Sequence, residues 1–392
     1  MKKFFAILMA ALMAVSMFAA CGSSAGNDDV QTEGGVLKIG MTGPLTGGAA
    51  EYGLAVEAGI EIAVEEINAA AEANGGLKLA FKSEDDEADG EKAVSGYNVL
   101  KDWGLQVFIG TVTSGACNAV APEAVADEIF LLTPSASATE VAMAGASTFQ
   151  MCFTDPNQGA SAAEVIEMKW ADTTIGLIYD SSDDYSSGLY QGFMKKANEM
   201  GLDVVVETSF TKDTKSDLST QVTQCKDAGA TLMFLPIYYS EASQILTYAN
   251  KIGYAPVFFG CDGMDGILGV EGFDVALAEG LSLMTPFDAN ATDEATVSFV
   301  TKFKAKMNGL VPNQFAADGY DCIYAIYNAC VEMGINGETP VDEACALVCE
   351  WFNTTEGFDG LTGKGMTWDA EGMISKSPAA VVVENGVYVP MN

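Results

Sequence analysis

The segment IGTVTSGA, residues 109–116, closes an apolar run and then becomes small and hydroxylated. The same pattern returns in IFLLTPSASAT, residues 129–139, where an apolar run leads into Pro-Ser-Ala-Ser. Short apolar runs bounded by turn residues are typical of buried strands. The two segments therefore predict neighbouring strands that end in hydroxyl-rich loops at one edge of a sheet, where a polar group is held.

Strands and helices alternate on both sides of these segments. From residue 36, strand patterns such as LKLAFKSEDD precede helical patterns such as GEKAVSGYNVLKDWG, which favours an α/β fold with a parallel sheet. The alternation restarts after MCFTDPNQG, so the chain carries two βα series. Helices of the second series are predicted over residues 160–168, 187–200, 218–228 and 242–251.

The C-terminal third of the chain has a different pattern. Residues 295–352 are mainly helical in pattern, and GMTWDAEGMI and AAVVVENGVYV then predict a hairpin element with Asn385-Gly386 at a turn. Because this element follows the helices, we expect it to return to one of the two sheets.

The charged residues exclude several classes of function. The chain has 392 residues, a formal net charge of −35 and no His, and all 19 basic residues are Lys. Such a surface repels nucleic acid and anionic lipid. Without Arg there is no bidentate clamp for phosphate, and without His the commonest general base and zinc ligand are missing. We therefore expect a protein that is not an enzyme and that holds no metal or cofactor.

The sequence contains partial matches to enzyme motifs, but the residues around each match do not fit the motif. GTVTSGAC has the two glycines of a phosphate-binding loop, but Ala-Cys stands where Lys-Ser/Thr is needed. The GxSxG at residues 22–26 has no strand before it and no His to activate its serine. The acidic clusters SEDDEADGE and SSDDYSS lack the spacing of a calcium loop. A pair of carboxylates acting on glycosides is not excluded, although nothing in the sequence selects a pair.

The N-terminus predicts export. Residues 1–20 have two Lys and then an apolar stretch with small residues before Cys21, the layout of a signal peptide. A transmembrane anchor is the alternative, but the stretch is at the short limit for spanning. FAAC resembles the bacterial lipobox, which implies a diacylated Cys21, a flexible tether over residues 21–35 and a place on the outer face of the cytoplasmic membrane. The other eight Cys are interpreted as small buried apolar residues.

Several motifs together resemble the type I extracellular solute-binding proteins of ABC importers, in their Leu/Ile/Val branch. They are KIGMTGPLTGGAAEYG, IGTVTSGA, LLTPSASAT, LIYDSSDDYSSG, PIYYSEA and GCDG, in the family's order. The resemblance implies a two-lobed periplasmic-binding-protein type I clamshell, each lobe a parallel sheet flanked by helices. The implied lobes comprise residues 36–153 with 288–358 and residues 156–285 with 363–392, joined by three crossings near residues 153–156, 285–288 and 358–363.

The resemblance also implies a ligand site in the cleft between the lobes. Ser114 would give its hydroxyl and backbone N–H to a ligand carboxylate, Ser137 a second hydroxyl, and the Ser135 carbonyl would accept from an ammonium. Asp262 stands where the family has an acidic residue facing that ammonium, although this residue is often Glu. The remaining positions form the walls of the site: Tyr52, Thr113, Ala136, Tyr185, Tyr238 and Phe315. Taken alone, Ser114 or Ser137 is equally explained as a helix cap, and Asp262-Gly263 as a turn.

The implied function is capture rather than catalysis. A monomeric lipoprotein would bind a free amino acid, branched-chain or otherwise hydrophobic, and deliver it to the permease of an ABC importer. The alternatives are the same fold binding an amide, a short-chain acid or an aromatic compound, and a surface hydrolase.

Overall fold

The computed structural model of the chain describes residues 35–391. The predicted signal peptide, Cys21 and the rest of the predicted tether up to residue 34 lie outside the described residues. Within residues 35–391, no helix has the length and apolarity needed to span a membrane.

The first sheet has five parallel strands in the order β2-β1-β3-β4-β5. The strands are β1 (Val36–Gly43), β2 (Lys78–Asp85), β3 (Val107–Ile109), β4 (Phe130–Thr133) and β5 (Thr148–Gln150). The helices between them are α1 (Ala50–Asn74), α2 (Gly90–Trp103), α3 (Ser114–Ala126) and α4 (Thr139–Ala142).

Both faces of this sheet are covered by helices. Successive side chains of a strand point to opposite faces, so Val107 and Ile109 belong to one apolar cluster and Phe108 to another. The Phe108 cluster includes residues of α2 and α3, and the other includes residues of α1. A strand buried on both faces needs a continuous apolar run, which is why VFI and FLLT have no alternation.

The second sheet has seven strands in the order β12-β11-β10-β9-β8-β6-β7. The strands are β6 (Ile175–Asp180), β7 (Val204–Phe210), β8 (Leu232–Leu235), β9 (Val257–Gly260), β10 (Ser282–Thr285), β11 (Ala379–Glu384) and β12 (Val387–Pro390). The helices that accompany them are α5 (Asp155–Trp170), α6 (Asp184–Met200), α7 (Ser219–Asp227) and α8 (Tyr239–Lys251).

The five strands β10-β9-β8-β6-β7 are parallel, as predicted, and an antiparallel pair is added at one edge of the second sheet. The β11–β12 hairpin pairs antiparallel with β10 at one edge. Its turn has Asn385 at φ 54° and Gly386 at φ 76°, the left-handed pair that a tight hairpin turn requires. The predicted hairpin and its return to a sheet are therefore both present.

Three helices from the C-terminal part of the chain pack on the first sheet or on its helix α1: α9 (Glu294–Lys306), α10 (Gln314–Met333) and α11 (Val341–Thr354). The α10 helix packs closely on α1 because glycines meet backbone there: a Cβ on Gly59 would lie 2.0 Å from the Ala316 carbonyl oxygen. We call the first sheet with α1–α4 and α9–α11 the first lobe, and the second sheet with α5–α8 the second lobe.

The third crossing between the lobes lies later than predicted. Residues 358–376 still contact the first lobe: Trp368 Nε1 donates to the Gln150 carbonyl oxygen (2.8 Å), and Lys376 Nζ lies 2.7 Å from Asp318 Oδ1 of α10. Two antiparallel bridges, Phe358↔Met366 and Trp368↔Ile374, fold this segment back. The second lobe therefore resumes at β11, and the predicted crossing near residues 358–363, with a second lobe from residue 363, is wrong.

All eight cysteines of the described residues are free thiols. Seven are buried, and Cys349 is partly exposed.

Candidate ligand-binding site

A small cavity lies between the lobes, where the loops after β3 and β4 meet the loops after β8 and β9. Most of the predicted site residues line it. The lining consists of Tyr52, Val112, Thr113, Ser114, Ser135, Tyr185, Tyr238, Asp262, Gly263 and Phe315. This position, beyond the carboxyl ends of parallel strands, is where open α/β sheets hold their ligands.

Ser114 is the first residue of α3 and is buried. Its Oγ accepts hydrogen bonds from the backbone N–H groups of Ser137 (3.1 Å) and Ala138 (3.2 Å). A serine hydroxyl has two lone pairs and one hydrogen. Both lone pairs accept hydrogen bonds from the protein, so the hydroxyl hydrogen is available to donate. A carboxylate oxygen of a ligand in the cavity would accept this hydrogen bond. The start of a helix also favours a negative charge at this place.

The loop after β4 is held by Thr133. Its Oγ1 donates to the Thr111 carbonyl oxygen (2.7 Å) and accepts from the Ala136 N–H (2.9 Å). The Ser135 hydroxyl in turn donates to the Val112 carbonyl oxygen (2.7 Å), so the two hydroxyl-rich loops are tied together. The Thr113 hydroxyl is buried and has no hydrogen-bond partner among the described residues.

Asp262 supplies the negative charge of the second lobe. It follows β9 at the start of a short 3₁₀ turn and is 2% exposed. Its Oδ1 accepts a hydrogen bond from the Tyr185 hydroxyl (2.6 Å), and the same hydroxyl accepts from the Gly263 N–H (2.8 Å). Burial raises the pKa of Asp262, and the hydrogen bond from Tyr185 offsets part of that rise. A cation beside this carboxylate would favour its charged form.

Aromatic rings form the rest of the wall. Tyr185 and Tyr238 stack in parallel with centroids 5.0 Å apart, and Tyr52 lies 5.6 Å from Tyr238 and 4.5 Å from Phe315. The ring centroids of Tyr52 and Tyr239 are also 4.8 Å apart. These rings offer an apolar surface beside the polar groups, as a hydrophobic side chain would need.

The lobes are closed on each other. The Tyr52 hydroxyl of the first lobe donates to the Gly263 carbonyl oxygen and accepts from the Tyr239 N–H (3.2 Å). The Gln314 N–H, at the start of α10, donates to Asp265 Oδ2 (2.9 Å). The space left in the cavity is about 10 Å³, which is about the volume that one water molecule needs. A metabolite can therefore enter only when the lobes move apart.

The structure does not bring every predicted residue to the cavity. Ala136 and Ser137 are buried beside it rather than in its lining. Ser137 is held at the border with α5, because its N–H is bound by Ser114 and its carbonyl oxygen accepts from the Asp155 N–H (3.0 Å). Its hydroxyl has no partner among the described residues.

Two lining residues were missed by the sequence analysis, namely Val112 and Gly263. Both are direct neighbours of predicted residues. Gly263 carries a signal of its own, because a Cβ there would lie 2.7 Å from the Tyr185 hydroxyl oxygen. Within residues 35–391, no group of three Asp, Glu, Cys or His side chains could hold a metal ion.

The sequence is similar to that of known binding proteins. The family described as periplasmic binding protein matches residues 36–386. Over 330 residues the chain is 27% identical to the leucine-, isoleucine-, valine-, threonine- and alanine-binding protein of Pseudomonas aeruginosa, covering 84% of this chain and 86% of that relative.

Two solved structures are similar over nearly the whole chain. A leucine-binding protein from Thermotoga maritima has a TM-score of 0.80 at 25% identity and covers 91% of this chain and 98% of its own. A branched-chain amino acid transporter substrate-binding protein from Streptococcus pneumoniae, in complex with isoleucine, has a TM-score of 0.80 at 25% identity and covers 90% and 97%.

Proposed function

Because the chain belongs to the periplasmic binding protein family, we propose that it captures a free amino acid and delivers it to the permease of an ABC importer. The ligand is an amino acid with a branched-chain or other hydrophobic side chain. The relatives with leucine, isoleucine and valine in their names support this ligand class.

The proposal rests on one observation: a hydroxyl donor of one lobe and a carboxylate of the other line the same cavity. Ser114 at the start of α3 presents a hydroxyl hydrogen, and Asp262 of the opposite lobe presents a carboxylate. A free amino acid is a zwitterion, and burying either of its charges unpaired costs several kcal/mol. A site with hydroxyl and N–H donors on one lobe and a carboxylate on the other neutralises both charges, and it does so without Arg or His.

Capture follows from closure of the lobes. In the open form the ligand reaches the Ser114 loop, and on closure Asp262 and the tyrosines of the second lobe cover it. Because the ligand then contacts both lobes, it stabilises the closed form over the open one. The permease can thereby distinguish loaded from unloaded protein by shape.

The proposal is tested by a thermal-shift screen of the purified full-length chain against the common amino acids, followed by calorimetric titration. A tight ligand raises the melting temperature by mass action, and we expect leucine, isoleucine or valine to do so. Asp262→Asn should weaken binding by about 3 kcal/mol, roughly 100-fold, because the ammonium loses its buried partner.

Asp172→Asn is the matched control, since Asp172 is exposed and lies outside the cavity lining. A ligand that binds the Asp262→Asn variant and the parent equally well has no ammonium at this position, which would favour the amide, short-chain acid or aromatic alternatives. Mass spectrometry of the recovered ligand separates capture from hydrolysis, because capture returns the ligand unchanged.

We also propose that the chain is anchored as a lipoprotein at the outer face of the cytoplasmic membrane and acts as a monomer. The support for the anchor is the sequence of residues 1–21, with two Lys, an apolar stretch and FAAC. Cys21→Ser should move the protein from the membrane fraction to the soluble fraction of cells. Cys349→Ser, which changes a partly exposed thiol elsewhere, should leave it in the membrane fraction.

A further inference from the structure

A second cavity lies between the lobes, beside the amino-acid site. We call it the side crevice; it is lined chiefly by Asn118, Glu140, Asp155, Asp184, Ser187 and Gln191. Its volume is about 320 Å³, within the range of small-molecule sites and far more than a bare ion needs. Its walls come from both lobes: α3 and α4 on one side, and α5 and α6 on the other.

Asp155 is a carboxylate without a partner at this crevice. Its side chain is 1% exposed, and neither carboxylate oxygen has a hydrogen-bond partner of good geometry among the described residues, although the Ser137 hydroxyl, which also has no such partner, lies nearby. Oδ2 lies against Gly188 of α6, where an added Cβ would be 2.8 Å away. An isolated buried carboxylate is costly in its charged form. Burial raises the pKa of Asp155 well above its usual range; the nearby Ser137 hydroxyl lowers it in part, and the neighbouring Asp262 and Asp183 raise it. A positive charge would relieve this cost.

The other charged groups of the crevice have the same sign. Glu140 of the first lobe and Asp184 of the second are exposed and stand nearer the solvent than Asp155. No Lys is among the lining residues. The crevice thus has one buried carboxylate and two outer carboxylates, and the side chains of Asn118, Gln191 and Ser187 also line it.

We propose that the side crevice binds a small linear diamine, with one ammonium at Asp155 and the other between Glu140 and Asp184. A metal ion is disfavoured because, within residues 35–391, no three carboxylates or thiols come close enough to ligate one. Two ammonium groups joined by an apolar chain match one buried and two exposed carboxylates, whereas a single ammonium leaves at least one carboxylate unpaired.

The crevice needs both lobes in contact, because each lobe supplies one of its walls. Asn118 Nδ2 of α3 donates to Asp184 Oδ2 of α6 (2.8 Å), which joins the lobes at its edge. A diamine that contacts both walls would therefore stabilise the closed form. By reciprocity it would strengthen amino-acid binding, and the amino acid would strengthen diamine binding by the same factor. This coupling rests on the proposed function, whereas the diamine site itself does not.

The test is a calorimetric titration of the purified full-length chain with putrescine at physiological salt, without amino acid. We expect a single saturable site, with n-butylamine binding more weakly. Asp155→Asn and Asp184→Asn should each weaken putrescine by about tenfold or more, because each removes a charge-assisted hydrogen bond. The Asp184 variant alters an exposed side chain, so it tests the site even if the Asp155 variant fails to fold.

Asp102→Asn is the control for unspecific attraction to an acidic chain, since Asp102 is exposed, lies on α2 and does not line the crevice. The proposal is overturned if putrescine does not bind, or if it binds the Asp155 and Asp184 variants as tightly as the Asp102 variant. A second titration with leucine present measures the coupling between the two ligands. Tighter putrescine binding supports the coupling. Unchanged putrescine binding contradicts the coupling but not the diamine site. If no amino acid binds at all, the proposed function fails and the first titration is unaffected.

Discussion

At the scale of single residues, hydrogen bonds within the protein hold the side chains of the cleft in place. Ser114 has both lone pairs occupied by backbone N–H groups, so its hydrogen points away from them. Asp262 has one oxygen held by Tyr185, which fixes the carboxylate plane. Both groups are therefore oriented before a ligand arrives, and less entropy is lost on binding.

Amino-acid affinity should rise with pH because of Asp262. Burial raises its pKa in the ligand-free protein, so at low pH the site holds a proton that an incoming ammonium must expel. Affinity is then lowest below this raised pKa, increases as pH passes through it, and is constant above it. Calorimetric titrations from about pH 4, near the usual pKa of an Asp, upwards measure this directly. Asp262→Asn should lose most of the dependence, and a parent affinity that does not change with pH would contradict the assignment.

Gly263→Ala should damage the site although it adds only a methyl group. The new Cβ would lie 2.7 Å from the Tyr185 hydroxyl oxygen and 3.1 Å from the Ile237 carbonyl oxygen, so the Asp262–Tyr185 pair must shift. We expect amino-acid affinity to fall by about tenfold or more, with a smaller change in melting temperature, since the strain is local. Gly48→Ala is the control, because no atom lies within 4 Å of its added Cβ. Equal affinity in the two variants would show that the turn tolerates a side chain.

At the scale of elements, the starts of α5 and α6 are determined by residues that do not belong to the apolar pattern. The sequence predicts α5 from residue 160 and α6 from residue 187, but they begin at Asp155 and Asp184. Pro156 fits the first turn of α5, and the Asp183 side chain caps α6 by accepting from the Ser186 N–H (2.9 Å). These added first turns bring Asp155 and Tyr185 to the cleft.

Lys376 should hold the segment of residues 358–376 on the first lobe. Its Nζ contacts Asp318 (2.7 Å) and the Thr362 hydroxyl (2.6 Å), and Lys376 and Asp318 are both buried. Lys376→Met leaves Asp318 without its partner, and we expect a loss of about 3 kcal/mol in the free energy of unfolding. The pKa of Asp318 is raised by burial to about 7 even with Lys376 beside it, so the loss should be larger at high pH.

Denaturant unfolding of the Lys376 variant at two pH values provides the measurement. Lys92→Met is the control, because Lys92 pairs with Glu87 at the exposed surface, where ion pairs contribute little. If both variants unfold at the same denaturant concentration, the buried pair does not stabilise this segment.

At the scale of the whole molecule, the closed form buries several Asp side chains in a chain whose net charge is −35. The stability of the closed form therefore depends on how these carboxylates are paired. Hydrogen bonds from Tyr52 and Gln314 link the lobes directly, while Asp155 and Asp265 have carboxylate oxygens buried without partners. The closed form therefore contains groups that a bound cation or proton would stabilise. This balance lets a ligand shift the equilibrium between open and closed forms.

The ligand-free protein should lose stability as pH rises from about 4 to about 7. Burial raises the pKa of Asp86 and of Asp265 to about 7, whereas in the unfolded chain an Asp titrates near 3.9. Between these values the folded state binds more protons than the unfolded state, so the free energy of unfolding decreases with pH and then levels off. Melting temperatures across this range measure the effect.

Asp86→Asn should flatten the pH profile, because Asp86 Oδ2 is buried without a partner among the described residues. Asp217→Asn is the control, since the pKa of this exposed group is lowered by hydrogen bonds to Ser219. A melting temperature that increases steadily up to pH 7 would contradict the prediction for both buried groups.

The sequence by itself determined the two βα series and the hairpin at Asn385-Gly386, whereas most cavity residues, including Ser114 and Asp262, were indicated by the resemblance to a known family. Apolar runs, turn residues and short motifs are local, so they can be read without the partners they will meet. The tertiary structure alone decided the direction of Ser137 and the late third crossing after Lys376. It also decided the meeting of Asp155 with Glu140 and Asp184 in the side crevice. These depend on contacts between distant parts of the chain, and side chains in irregular loops have no period from which their direction could be predicted.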